Sequence, residues 1–233
     1  MAALGDYDKG NLLGKSLIFE AVDDRARREL AEFSYIKRYA AGETIFSIGD
    51  AGQTMMAIAE GSVRVSMATP TGRDVTLNDL QAGEVFGEIA LLDGGERSAT
   101  VKALTKCALV VLERRFLLEV FRRNPDLYLR LIELLCRRVR RSDERMIEIA
   151  FLDLPIRLAR LVLRLSQTHP GSLDKPLTRL SQSQSELAGM IGNSRENVNR
   201  CLRKWQKVGL VTLRDGWLII EDRSGLEAVA DGD

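Results

Sequence analysis

The chain is poor in cysteine, with three in 233 residues. Cys107, Cys136 and Cys201 lie far apart, without a CxxC pair and with none in the first hundred positions. That spacing argues against a disulfide scaffold, a zinc ribbon and an iron–sulfur cluster on a cysteine-rich N-terminus. There is one histidine, His169, so neither a histidine metal cluster nor a dyad with a second histidine can form. No G-x-S-x-G, H-E-x-x-H or zinc-spaced cysteine set occurs, and the chain reads as no enzyme. Long apolar runs are missing as well. Met1–Lys15 has none, and no later stretch reaches the roughly 18 residues that span a bilayer. A soluble, cytoplasmic protein with no membrane partner is expected. Charge of one sign is also lacking: the formal net charge is +1, which taken whole argues against a basic nucleic-acid binder.

What is present is a chain able to bury a core, with 45% apolar and 29% charged residues and five prolines, long enough for one large or two medium domains. Ala26, Leu30 and Phe33 fall at helical spacing within a charged segment, which predicts a surface helix over Asp23–Phe33. From about Tyr35 to Leu112 the pattern is short alternating runs: 44–48, 55–59, 63–67, 75–80, 99–104 and 108–112. Glycine-rich breaks at Gly42, Gly49, Gly52, Gly61, Gly72, Gly83 and Gly94-Gly95 separate them. Many short strands with turn chemistry between them predict a compact antiparallel β-roll or barrel.

From Arg114 glycine disappears until Gly171. After Asn124-Pro125, apolar or small residues recur at Tyr128, Leu131 or Ile132, Leu135, Val139, Ser142, Met146 and Ile149. Steps of three and four are the seam of a coiled coil, so this helix is expected to pair with a second copy of itself. Its polar interruption is Ser142. Asp153-Leu154-Pro155 starts a new helix, Ile156–Leu165, which places the hinge at 149–153. Ser183-x-x-Glu186 is a capping box opening a helix over Gln184–Met190, Gly192 makes a turn, and Ser194 caps a second helix over Arg195–Val208. The runs 210–213 and 217–220 flank Arg214-Asp215-Gly216, a hairpin signal. Helix, glycine turn, helix and hairpin predict a winged helix-turn-helix.

Two groups of residues carry chemistry. The first lies on the second helix of that pair: Arg195, Glu196 and Arg200 occupy the part that a helix-turn-helix inserts into the major groove. Arginine donates two bonds to guanine O6 and N7, and glutamate accepts from the cytosine amino group. Arg203, Lys204 and Lys207 suit phosphates, and Gln184, Ser194 and Asn199 complete the candidate DNA-contacting set. The competing reading is a solvated basic helix with a capping serine. Charge favours the first: residues 154–220 hold eleven Lys or Arg against four acids, a balance of +7, so the basic surface is local.

The second group is Phe86-Gly87-Glu88-Ile89-Ala90 followed by Gly94-Gly95-Glu96-Arg97-Ser98-Ala99. Gly87 permits positive φ and close backbone approach, and the segment after it can aim N–H groups at an anion. Arg97 offers a planar guanidinium for a phosphate, Ser98 a hydroxyl, and Glu88 an acceptor for a sugar hydroxyl. A structural arginine–glutamate ion pair beside a glycine turn is the competing reading.

The segment FGEIALLDGGERSATV resembles the phosphate-binding cassette of the cyclic-AMP receptor protein/FNR family of bacterial transcription regulators, and SRENVNR resembles that family's recognition helix. The order of parts is similar over about residues 20 to 221. The resemblance implies an α+β fold: a cyclic-nucleotide-binding β-roll (1–123), a long dimerisation helix (124–150) and a winged helix-turn-helix (151–233). It implies that Glu88 binds the ribose 2′-hydroxyl, that Arg97 and Ser98 bind the cyclic phosphate, and that Gly87, Ile89 and Ala90 shape the cassette. It further implies that Arg138 and Ser142 face the nucleotide and that Asp143 reaches the base in the partner subunit's pocket. Arg195, Glu196 and Arg200 match the base-reading triad of the cyclic-nucleotide branch, which implies a palindrome with TGTGA-like half-sites. The loop around His169 matches a region that touches RNA polymerase in the family.

Asp143 departs from the pattern, since the cyclic-AMP receptor protein has a neutral hydroxyl residue there. A carboxylate only accepts hydrogen bonds, from the adenine amino group or from N1–H and the 2-amino group of guanine. Cyclic AMP is thus the first candidate ligand and cyclic GMP the second. Alternatively Asp143 pairs with Arg140 or Arg141. Two further alternatives stay open: another effector, such as haem, redox state or an organic acid, or no effector; and, ranked last, a regulatory part of an enzyme. Two features are assigned no role. Gly10–Ser16 has three residues between its glycines where a P-loop needs four, and the acidic tail from Glu221 to Asp233 has a composition compatible with disorder.

Overall fold

The computed structural model describes Leu13, Phe19 and residues 23–69, 74–167 and 179–232. The segment around Gly10–Ser16 (Leu13 apart), the turn at Pro70–Gly72 and the loop holding His169 lie outside the described residues. Two compact units result: Met1–Met67 with Leu77–Val139, and Ala68–Thr76 with Arg140–Asp233.

In the first unit, helix α1 (Asp24–Glu32) begins at Asp23, whose carboxylate accepts from the Ala26 N–H at 2.7 Å. One four-stranded sheet has the order β1 (Ser34–Tyr39), β8 (Cys107–Glu113), β3 (Thr54–Glu60), β6 (Val85–Phe86). The other has the order β2 (Thr44–Phe46), β7 (Thr100–Ala103), β4 (Ser62–Ala68), β5 (Asp74–Gln81). Pairing is antiparallel, with Ser34 opposite Leu112, Met56 opposite Val111 and Val63 opposite Ala103. Strand β8 is the unbroken apolar run Ala108–Leu112 because it is covered on both faces. Val110 and Leu112 join Met55, Leu30, Leu117, Phe121 and Leu131 under the helices, whereas Leu109 and Val111 join Ile58, Val63, Leu80 and Phe86 between the sheets. Each such side chain contributes about 1.5–3 kcal/mol on burial. The strands expected at six places are all present, and β1 and β6 are additions to them.

The helices of that unit are α2 (Glu88–Asp93), α3 (Arg114–Arg123) and the start of α4 (Asp126–Phe151). Helix α4 buries only Leu127 and Leu131. Leu131 therefore belongs to the core of the roll, which leaves Ile132 as the exposed member of that pair. Ile132, Val139, Met146 and Ile149 are all exposed, each more than half.

The second unit holds α5 (Leu154–Gln167), β9 (Arg179–Leu180), α6 (Gln184–Ile191), α7 (Arg195–Lys207), β10 (Val211–Arg214), β11 (Trp217–Ile220) and α8 (Arg223–Asp231). The expected capping box is present: Glu186 N–H donates to Ser183 Oγ at 3.2 Å, and Ser183 N–H donates to Glu186 Oε2 at 2.9 Å. Gly192 ends α6 at φ 65°, and Asp215 and Gly216 take φ 52° and 79° in the hairpin turn, the positive pair that a tight two-residue hairpin needs. The acidic tail requires a correction. It is helix α8, capped by Asp222, with Leu226 and Ala230 buried in the core of this unit beside Leu158 and Val162. Composition missed it because the charges lie on its outer face while the buried pair follows helical spacing. Among the described residues no helix is long and apolar enough to cross a membrane.

Candidate functional site

The cassette is shaped by glycines. Gly87 precedes α2 at φ 81°, and a Cβ there would lie 2.7 Å from Arg97 Nη1 and 3.1 Å from the Thr54 carbonyl oxygen. Gly52 lets the facing loop approach α2 so closely that a Cβ on it would meet the Ala90 Cβ at 2.1 Å. Arg97 N–H donates to the Asp50 carbonyl at 2.8 Å, and Gly49 N–H donates to the Arg97 carbonyl at 2.9 Å. Arg114 Nε holds the Leu91 carbonyl at 2.6 Å, near the end of α2. Backbone and side chains thus fix the α2 segment from both ends.

Within this frame Glu88 and Arg97 are both buried, at 1% and 4% exposure. They do not form the arginine–glutamate pair that the competing reading supposed. Glu88 Oε1 accepts instead from Arg138 Nη1 on α4, whose Nη2 donates to the Val85 carbonyl. Arg97 turns to β3, with Nη1 donating to the Thr54 carbonyl at 2.8 Å and to the Gly87 carbonyl at 3.0 Å, and Nη2 to Thr54 Oγ1 at 2.7 Å. Its guanidinium lies over the Phe46 ring, 4.2 Å from the centroid. Desolvation pushes its pKa down, and the carboxylates of Asp50 and Glu88 oppose that shift. Of the buried side-chain atoms without a partner among the described residues, two lie in the cassette: Glu88 Oε2 and Arg97 Nε. One is an acceptor suited to a hydroxyl and the other a donor suited to an anion, so this donor set fits a sugar phosphate.

The remaining cassette residues are divided. Ala90 is buried, while Ile89 and Ser98 are exposed. Ser142 and Asp143 lie exposed on α4, with Ser142 one turn beyond Arg138 on the same helix face. Among the described residues Asp143 makes no ion pair with Arg140 or Arg141. Thr54 and Val85 were not anticipated, because they supply acceptors from strands and belong to no motif.

The second group sits on α7. Val198, Cys201, Leu202 and Trp205 form its buried stripe, which leaves Arg195, Glu196, Arg200, Arg203, Lys204 and Lys207 exposed and Asn199 half-buried. Ser194 Oγ accepts from the Asn197 N–H at 3.2 Å, and Asn193 Oδ1 ties the Ser194 N–H and the Asn197 amide at 2.8 and 2.9 Å. Arg157 Nη1 holds the Ile191 carbonyl at 3.1 Å, fixing α5 to the turn between the two helices. A cavity of about 440 Å³ between α6, α7 and the hairpin brings Gln184 and Arg195 onto one surface with Trp217. Burial pushes the Cys201 thiol up to about 11, with Lys204 pulling the other way. Cys201 is therefore a neutral packing residue on this helix.

Comparison with known proteins agrees with the order of these parts. Residues 36–124 match the cyclic nucleotide-binding domain, and residues 156–229 match the Crp-like helix-turn-helix domain. The chain is 35% identical over 226 residues, 96% of its length, to a cyclic AMP receptor protein of Thermus thermophilus, covering 99% of that protein. It is 28% identical over 217 residues to a CRP-like cAMP-activated global transcriptional regulator of Mycobacterium tuberculosis, covering 92% of this chain and 96% of that one. A solved structure of the c-di-GMP-responsive global regulator CLP of Xanthomonas campestris superposes with a TM-score of 0.77 at 26% identity, covering 86% of this chain and 100% of that one. In this chain the nucleotide-binding match spans the roll with its cassette, and the helix-turn-helix match spans the unit with the exposed basic second helix. The chain belongs to the cyclic-AMP receptor protein/FNR family, whose members are transcription regulators and not enzymes.

Proposed function

We propose that the protein is a homodimeric, sequence-specific DNA-binding regulator of transcription whose DNA affinity is set by a cyclic nucleotide, with cyclic AMP first and cyclic GMP second. Residues 1–123 act as the sensor, 124–150 as the dimer helix and 151–233 as the DNA reader. The observation that carries the nucleotide part is the pair of buried, unpartnered atoms Glu88 Oε2 and Arg97 Nε in one cassette. Burying a carboxylate oxygen and a guanidinium nitrogen without partners is costly, and a ligand offering a hydroxyl and a phosphodiester relieves both. The exposed apolar face of α4 supports pairing with a second copy. Ser142 would face the nucleotide together with Arg138, and Asp143 would reach the base in the partner subunit's pocket, its carboxylate accepting from adenine or guanine. Ligand must favour the DNA-competent arrangement by its differential affinity for the two states. The protein would work in the cytoplasm, with RNA polymerase as its partner on DNA.

Titration calorimetry with cyclic AMP, cyclic GMP and c-di-GMP tests the effector. The last is included because of the Xanthomonas relative, which its name describes as c-di-GMP responsive. Binding of a cyclic mononucleotide is expected, and no heat from cyclic AMP and cyclic GMP at millimolar concentration would refute the reading. On DNA, Arg200→Ala is expected to cost about 1–3 kcal/mol on a palindrome with TGTGA-like half-sites and to relax specificity at the contacted base. Arg203→Ala is expected to weaken binding to all sequences alike and to reduce the salt dependence by about one phosphate contact. Equal losses on specific and random DNA for Arg200→Ala would remove it from base reading.

A further inference from the structure

We infer that Thr54 is the positioning residue of the nucleotide site: its hydroxyl and carbonyl together orient the Arg97 guanidinium so that one two-pronged edge is left for a phosphodiester. The inference rests on the nucleotide reading above and adds a residue that belongs to no cassette motif.

A guanidinium carries five N–H donors in a fixed plane. In Arg97 three are committed, two from Nη1 to the Thr54 and Gly87 carbonyls and one from Nη2 to Thr54 Oγ1. What remains is the Nε–H, buried without a partner, and the second Nη2–H. Nε and Nη2 lie on the same side of the planar group, so the two free donors are neighbours with parallel directions. That is the geometry which grips two oxygens of one phosphate, and it exists only while the other three donors are held. The Phe46 ring 4.2 Å from the guanidinium supports one face and restricts tilting.

The Thr54 carbonyl would be supplied by any residue at the start of β3, but the hydroxyl would not. Among the described residues it alone accepts from Nη2, and so decides which Nη2–H is used up. Without it the guanidinium is held through Nη1 only and can turn about that nitrogen, carrying the Nε edge away from the anion. Threonine suits the task because its branched side chain is stiff at χ1 and at home in a strand. The hydroxyl is thereby preset before any ligand arrives, and the ordering cost on binding falls.

The test uses the full-length protein with Thr54→Val, which keeps shape and removes the hydroxyl, and Thr54→Ser, which keeps the hydroxyl. By calorimetry with cyclic AMP, Thr54→Val is expected to lose affinity about tenfold, the scale of one hydrogen bond to a charged group, and Thr54→Ser to stay within about twofold. In an Arg97→Lys background, which has no fork to orient, Thr54→Val is expected to change affinity by less than about twofold. Equal losses in the valine and serine variants, or the same loss in the lysine background, would mean that Thr54 only packs, and the inference falls. A readout independent of ligand separates this from the nucleotide reading itself. The Nε–H signal of Arg97 in nuclear magnetic resonance is expected to shift and to exchange faster with solvent in Thr54→Val than in wild type. An unchanged signal overturns the inference even if no nucleotide binds, whereas a changed signal in a protein that binds no nucleotide upholds the positioning and overturns the proposed effector.

Discussion

Arg97→Leu is expected to reduce cyclic-nucleotide affinity by roughly a hundredfold or more, to the point where calorimetry at millimolar ligand records no saturable heat. The size follows from the donors lost. Two N–H groups remain available to an anion after the contacts to Thr54 and Gly87 are made, and each hydrogen bond to a charged group is worth about 1.5–3 kcal/mol. Together that is about 3–6 kcal/mol, or two to four powers of ten in affinity at about 1.4 kcal/mol each. The substitution has a second effect that the cassette motif alone would not suggest. Leucine leaves the carbonyls of Thr54 and Gly87 and the Thr54 hydroxyl without their donor, and each orphaned group costs about 1–3 kcal/mol where it is shielded from water. The roll is therefore expected to melt earlier as well. Arg97→Lys, which keeps the charge and loses the fork, should recover part of the affinity. A leucine variant that binds cyclic AMP with near-native affinity would remove Arg97 from the site.

The second large effect is expected in α8, which holds none of the candidate nucleotide- or DNA-contacting residues. Leu226 is fully buried, in the same core as Leu158, Val162 and Trp205, and Leu→Ala in such a place costs about 2–5 kcal/mol. For a unit of this size each kcal/mol moves the midpoint by about 4–8 °C, so the DNA-binding unit should melt at least about 8 °C lower. Both tryptophans of the chain, Trp205 and Trp217, lie in this unit, so intrinsic tryptophan fluorescence follows its unfolding alone. Nucleotide binding, read by calorimetry, should not change. A melting curve unchanged by Leu226→Ala would mean that α8 does not belong to this core.

These two residues also mark how far the sequence could be followed. Elements that carry their own punctuation were legible. Ser183 and Glu186 cap each other, Gly192 takes the left-handed turn, and Asp215-Gly216 closes the hairpin; each of these geometries is decided within four residues. Strand β1 is different. Its exposure does not alternate cleanly, and Lys37-Arg38 interrupts it, so what makes it a strand is its pairing with β8, Ser34 with Leu112 at one end and Tyr39 with Cys107 at the other. Helix α8 did announce itself, through Asp222 as a cap, Leu226 and Ala230 at helical spacing and Gly232 as a stop, but acidic composition outweighed those signals. In the candidate site, Glu88 and Arg97 were legible because they belong to one short segment. Their actual partners were not, since Arg138 lies 50 residues from Glu88 and Thr54 lies 43 from Arg97. Pairings of that separation are set by the closure of the roll, which no local pattern encodes.

The placement of β1 at the edge of its sheet, against β8 alone, has a consequence for how the chain is made. On the ribosome Ser34 emerges well before Leu112, its partner in the register. At about 5–20 residues per second, β1 waits roughly 4–16 s for the strand that completes it. During that interval it is a short segment with two tyrosines and an isoleucine whose backbone groups have no strand to pair with, the kind of edge that can pair with another chain. Lys37 and Arg38 stand in the middle of it, both exposed. The same two charges that obscure the strand in the sequence are of the kind that discourages pairing between exposed strands.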